Sequence, residues 1–220
     1  FIKSFKKANH IISNSNFTKD LAIRMNIDEK NISVINPGIN RPVTLESSNI
    51  EKALKYFNGS QNKKESFPKI ITVARLEKRK NHDKILMALK NLQTKFPKFK
   101  YISIGDGEEK NNLIKLTNEL GLNDNVIFLK NIEENLKFSF ISLSNLFLMP
   151  SIIDKKSVEG FGISFVEAAS YGVGSIGGKD GGASDAISHN KTGIICDGNN
   201  LNSIYESIIN FFDNENYIKF

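Results

Sequence analysis

Two carboxylates, Glu159 and Glu167, stand eight residues apart in the stretch Glu159-Gly160-Phe161-Gly162-Ile163-Ser164-Phe165-Val166-Glu167. Glycines at 160 and 162 remove side chains where a ligand could approach the backbone. The apolar spacing over 161–171 predicts a helix closed by Gly172, with Glu167 two turns beyond Glu159, and Leu146 to Met149 before Pro150 reads as a strand. A helix start carries unpaired N–H groups and positive partial charge, so the N–H groups of Phe161, Gly162 and Ile163 are candidates to hold phosphate or sugar oxygens. Carboxylates repel a bare phosphate but accept hydrogen bonds from hydroxyls. A ligand carrying both phosphates and sugar hydroxyls suits this combination.

A second cluster, Arg75-Leu76-Glu77-Lys78-Arg79-Lys80-Asn81, closes one predicted strand and opens a predicted helix. Cations there oppose the helix dipole by roughly 0.3–1 kcal/mol each, so several together call for a bound anion. The alternative is a solvated basic loop paired with Glu77 and Asp83. Gly105-Asp106-Gly107-Glu108-Glu109 tests a dinucleotide site. The third glycine is absent and acids occupy the helix start, so repulsion argues against pyrophosphate there. His82, His189 and Cys196 do not stand at metal-ligand spacing and no Ser/His/Asp nucleophile arrangement occurs, so no metal is expected.

The elements that must position these residues follow from periodicity. Apolar strands at 69–75, 101–105, 125–130, 145–149, 174–177 and 192–197 alternate with helices at 82–94, 109–120, 133–142, 161–171, 183–188 and 201–212. That alternation predicts an α/β fold, a doubly wound parallel sheet of the Rossmann-like kind. Ligands of such sheets bind at the carboxyl ends of the strands, which is where both clusters fall. Upstream, the pattern predicts a strand at 10–15, a helix capped by Asn16 or Thr18 and running to 25, a Pro37-Gly38 turn and a helix at 49–57, with a chemically idle loop after it. Residues 1–9 form a short basic amphipathic piece, read as a surface helix, with peripheral membrane contact as the alternative.

The order E-G-F-G-x-x-x-x-E, a strand, then Gly181-Gly182 resembles the glutamate pair of retaining glycosyltransferases of family 4 (glycosyl transferases group 1), which have the two-domain GT-B architecture. Arg75 to Asn81 resembles that family's G-R-L-x-x-x-K-G segment, with Ala74 and Asn81 replacing the two glycines, and GDGEEKNNL resembles its G-x-G-x-x-x-x-L turn. The resemblance implies that residues 37–220 are the C-terminal nucleotide-sugar-binding domain, and residues 1–36 the trailing segment of an N-terminal acceptor-binding domain with its linker. It implies that Arg75 and Lys80 contact the donor diphosphate, that Glu159 faces the transferred sugar and that Glu167 takes the ribose hydroxyls. Gly105, Gly160, Gly181 and Gly182 would shape the donor site, and Ile132, after Asn131, would lie where the base is held. Lys130 stands where a glycine is common, and Gly172-Val173-Gly174-Ser175 lacks a usual proline.

The implied activity is transfer of a sugar from a nucleotide-diphosphate sugar to a hydroxyl of a glycan or lipid-linked saccharide, as in polysaccharide biosynthesis, with no cofactor beyond the donor substrate. The chain opens on Phe1 and is expected to be a piece of a longer enzyme, inactive alone. Two alternatives stand beside this reading: a nucleotide-sugar isomerase of the same fold, and a non-catalytic nucleotide-sugar module working with a separate acceptor-binding partner. Net charge of +6 over 220 residues permits anionic partners. The excess is diffuse and no helix-turn-helix, zinc-finger or aromatic RNA motif accompanies it, so nucleic acid is not expected. No apolar run is long enough to cross a bilayer, and the single Cys196 reads as a core residue. A cytoplasmic place is expected, the inner membrane face being the alternative.

Overall fold

The computed structural model describes residues 8–40, 43–59 and 65–213. Residues 1–7 of the amphipathic piece at 1–9 and most of the loop at 59–66 lie outside the described residues. Six strands form one parallel sheet: β3 (Lys69–Val73), β4 (Lys100–Ile104), β5 (Val126–Leu129), β6 (Leu146–Met149), β7 (Ser175–Gly178) and β8 (Gly193–Cys196), in the order β5-β4-β3-β6-β7-β8. The chain therefore winds outward from β3 to one edge, returns, and winds outward from β6 to the other. Neighbours β3 and β6 belong to different windings, so the crossovers on their two sides leave a crevice at their carboxyl ends.

Alternation along each strand divides the core in two. Ile70, Tyr101, Leu146, Leu148 and Ile176 face one layer, closed by α3 (His82–Lys95), α4 (Lys110–Glu119) and α8 (Leu201–Asp213). Ile71, Ile102, Phe147 and Met149 face the other, closed by α2 (Ser47–Asn58), α5 (Glu134–Ser142) and α6 (Ile163–Ala169). Buried apolar strands covered on both faces are what an all-parallel sheet requires. Tyr56 and Phe57 of α2 both meet Phe140 of α5 edge-on, which fastens the segment after the linker to this body. Cys196 is buried in the core, where desolvation pushes its thiol up to about 12.

The upstream part is separate in its pairing. β1 (Ile11–Ser13) and β2 (Ile32–Val34) make a two-stranded parallel sheet around α1 (Asn16–Arg24). Ser15, rather than Asn16 or Thr18, caps α1; Thr18 at the third helical position returns the bond in a capping box. The described helices include none long and apolar enough to cross a membrane.

The largest departure from the sequence reading concerns α6, expected at 161–171. It starts at Ile163 because Gly162 takes φ 88°, ψ 63°, a left-handed conformation that breaks helical continuity and favours glycine. A Cβ at Gly162 would also sit 2.5 Å from the Phe165 ring. Glu167 is therefore the fifth residue of α6, about one turn in rather than two.

Candidate functional site

The loop after β3 is shaped by its own polar groups. A 3-10 turn over Lys78–Lys80 ends at Asn81, which sits at φ 63°, ψ 31° and donates from Nδ2 to the carbonyls of Pro150 (2.9 Å) and Gly198 (2.7 Å). The N–H of Ile152 donates to the Arg79 carbonyl at 2.9 Å. These bonds tie the β3 loop to the loops after β6 and β8, so the cations of 78–80 are carried toward the crevice. Arg79 and Lys80 are tolerable before a helix because Glu77 in the same loop and Glu159 across the crevice meet their charge, while Lys78 is exposed to water.

Beneath this loop lies His82, 2% exposed, with Nε2 3.3 Å from the Arg75 carbonyl and Nδ1 3.4 Å from the Tyr101 hydroxyl. Desolvation lowers its imidazole to about 4, the bond to Arg75 opposing and the Lys80 charge adding. At neutral pH it is uncharged, with one nitrogen free to donate to Arg75.

Glu159 belongs to the loop between β6 and α6, and its backbone is fixed against the turn after β7. It forms a parallel bridge with Gly181, and its carbonyl accepts the Gly182 N–H at 2.8 Å. A Cβ on Gly182 would stand 2.0 Å from the Gly160 carbonyl oxygen, so the two strands of chain can meet only without a side chain there. Above Gly160 lies Asn14, whose Nδ2 would be 3.1 Å from an added Cβ. The backbone N–H and Nδ2 of Asn16 both donate to Asp185 Oδ2 at 2.8 Å, so the β1–α1 turn is seated on this corner.

Thus fixed, the Glu159 carboxylate meets two cations. Its Oε2 takes the Lys80 ammonium and, at 3.1 Å, Nη1 of Arg79. Arg79 Nε is 3.1 Å from one oxygen of Glu77, and Arg75 Nε is 2.8 Å from the other. Lys80 is 9% exposed and also approaches Met149 Sδ at 3.3 Å; burial pulls its ammonium below the ordinary value while Glu159 holds it up. Arg75 is 73% exposed, at the outer end of this row.

Glu167 stands in different company. Its Oε1 is 3.0 Å from Nζ of Lys137 on α5, and that ammonium lies 4.2 Å from the centre of the Phe138 ring. The carboxylate lines a cavity of about 310 Å³ with Gly38, Val43, Phe138, Ile163 and Tyr171. The Tyr171 hydroxyl accepts the Val43 N–H at 3.1 Å, closing the linker over this side, and its ring lies 5.4 Å from that of Phe138.

Of the expected site residues, the structure brings Lys80 and Glu159 into contact and lays Gly160, Gly181 and Gly182 under them. Glu167 is on its own cavity, and Ile132 packs into the second core layer near the β5–α5 loop. Gly105 serves the β3 loop: a Cβ there would meet the Ala74 carbonyl oxygen at 1.9 Å. Phe161 is buried, and the N–H groups of Phe161, Gly162 and Ile163 have no backbone acceptor among the described residues. Sequence reasoning missed Arg79, Lys137 and Asn14. Arg79 was visible only as one of three adjacent cations, and Lys137 carried no signal.

A doubly wound parallel sheet with a cation–carboxylate cluster at its strand reversal is a domain of the Rossmann-like class. The description Glycosyl transferases group 1 matches residues 57–219, and the chain belongs to that family. It is 30% identical over 143 residues to a Mycobacterium tuberculosis GDP-mannose-dependent alpha-(1-6)-phosphatidylinositol monomannoside mannosyltransferase, covering 64% of this chain and 37% of that protein. It is 38% identical over 100 residues to the Escherichia coli O-antigen biosynthesis glycosyltransferase WclY, covering 46% of this chain and 25% of the relative. The crystal structure of a glycosyltransferase from Rickettsia africae superposes with a TM-score of 0.81 at 22% identity, over 100% of this chain and 59% of that one. The chain thus spans well under half the length of the curated relatives it matches.

Proposed function

We propose that this chain is the donor-binding half of a retaining glycosyltransferase, moving a sugar from a nucleotide-diphosphate sugar to an acceptor hydroxyl of a glycan or lipid-linked saccharide. Residues 1–36 are the end of the acceptor-binding half. The observation that carries the reading is the Lys80–Glu159 ion pair, which joins the two loops bearing the family's donor motifs at the reversal between β3 and β6. In this reading Lys80, with Arg75 at the outer end of the row, stabilises the leaving diphosphate electrostatically, and Glu159 faces the sugar. Glu167, on its cavity, accepts the ribose hydroxyls. The C1–O bond to phosphate breaks as the acceptor oxygen bonds C1 on the same face, and the acceptor proton passes to the departing phosphate oxygen. Side-chain cations do the work a metal would otherwise do. The two relatives' names, one for mannose transfer from GDP-mannose to a phosphatidylinositol mannoside and one for O-antigen biosynthesis, support glycan and lipid-linked acceptors.

The test is a thermal melt of the full-length protein with UDP, GDP and ADP in parallel, with Glu167→Ala as control. Ligand at about 100 times its dissociation constant adds roughly 2.7 kcal/mol, a rise of several degrees. One nucleoside diphosphate should give that rise in the unaltered protein and a smaller one in the control. No rise with any of them overturns the reading.

A further inference from the structure

The Glu159 carboxylate has two cations on one oxygen, and they are not equivalent. Lys80 reaches it from the end of the 3-10 turn with a flexible stem, and its other contact is the weak acceptor Met149 Sδ. Arg79 is held at both ends: its backbone carbonyl accepts the Ile152 N–H, and its guanidinium bonds Glu77 through Nε and Glu159 through Nη1, each at 3.1 Å. A planar fork that bonds two carboxylates through separate nitrogens is preorganised in a way that an ammonium is not. The side chains of Glu77, Arg79, Lys80 and Glu159 are all 18% exposed or less.

That burial sets a condition on ligand binding. For Lys80 to serve an incoming diphosphate, its ammonium must leave or share Glu159. A carboxylate so enclosed, left without a cation, carries a desolvation penalty that would be charged against the ligand. Arg79 already bonds that carboxylate through Nη1, so it can meet the charge without any new contact forming. The row of Arg75, Arg79 and Lys80 against Glu77 and Glu159 also carries one positive charge in excess, which is the sign an anion requires.

We propose that Arg79 is the resident counter-ion of Glu159, a positioning residue that holds the carboxylate in place and frees Lys80 for the donor diphosphate. This rests on the donor-site reading above.

A double-mutant cycle tests it, with titration calorimetry of UDP and GDP on the full-length protein carrying Arg79→Met, Glu159→Gln, both or neither. Arg79→Met alone should weaken binding about tenfold or more, because Lys80 is then retained by Glu159; in the Glu159→Gln background, where no carboxylate demands a cation, the same change should cost less than about twofold. An equal loss in both backgrounds would mean that Arg79 touches the ligand itself and would overturn the proposal. No loss in either would overturn it too, since Lys80 would then need no release. If Arg79→Met does not fold, Arg79→Lys is read in the same cycle, with a smaller loss expected in the Glu159 background and none in the Gln background. Failure of the unaltered protein to bind either diphosphate would instead sink the donor-site reading, and this inference with it.

Discussion

Glu159 and Glu167 lie in one short motif, yet the fold puts them to opposite uses. Glu159 is in a loop pinned by backbone contacts to Gly181 and Gly182, 13% exposed, and shared by two cations from a loop 79 residues away in sequence. Glu167 rides a helix, 18% exposed, with a single cation on the neighbouring helix and one side open to a cavity. The first is an acid locked into a charge network; the second is an acid that opens onto a cavity. The difference teaches that a motif's spacing selects residue types, while the element that carries each residue decides which cations and which open space it meets.

The largest expected effect concerns the support under the first region. His82 is neutral in the fold with its imidazole lowered to about 4, against 6.5 for the free side chain, so below pH 6.5 the unfolded chain binds a proton that the folded chain refuses. Its contribution is therefore complete above pH 6.5 and is lost as the pH falls toward 4, on the order of 3 kcal/mol across that window. Denaturant titrations at pH 7.5 and 5 should show a steeper loss for the unaltered protein than for His82→Gln. Equal slopes would break the claim that the β3 loop rests on a buried neutral histidine.

Next comes the contrast itself. Glu159→Ala strands Lys80 and Arg79 near each other in a poorly solvated crevice and should cost about 2 kcal/mol of stability. Glu167→Ala should cost less than about 1 kcal/mol, since Lys137 keeps its ring contact and part of its hydration. Urea midpoints of the two variants decide it, and comparable values would erase the distinction between a locked acid and one that opens onto a cavity. The smallest effect is at the rim: Arg75→Ala, in a side chain 73% exposed, should change stability by no more than about 0.5 kcal/mol. A larger change in the same titration would show that the rim arginine belongs to the locked network after all.

The sequence by itself determined the architecture. Strand runs such as Lys69–Val73 and Leu146–Met149, alternating with helices closed by Gly and Asn, are local signals, because side-chain periodicity and backbone preference act over a few residues. It also determined which residue types gather at the carboxyl edge, since each motif lies in the connection that follows a strand. The start of α6 was misplaced because a glycine at φ 88° looks in sequence like any other glycine in a helical pattern. What only the tertiary structure decided is partnership. Arg75 and Lys80 were named from the resemblance to the family's segment, but the choice of Arg79 as the second ligand of Glu159 depends on which way each side chain leaves a 3-10 turn. Lys137 meets Glu167 only because α5 and α6 cover the same face of the sheet. Charges pair through space, and the distance between two loops is set by strand order and close glycine contacts, neither of which is written in the residues that pair.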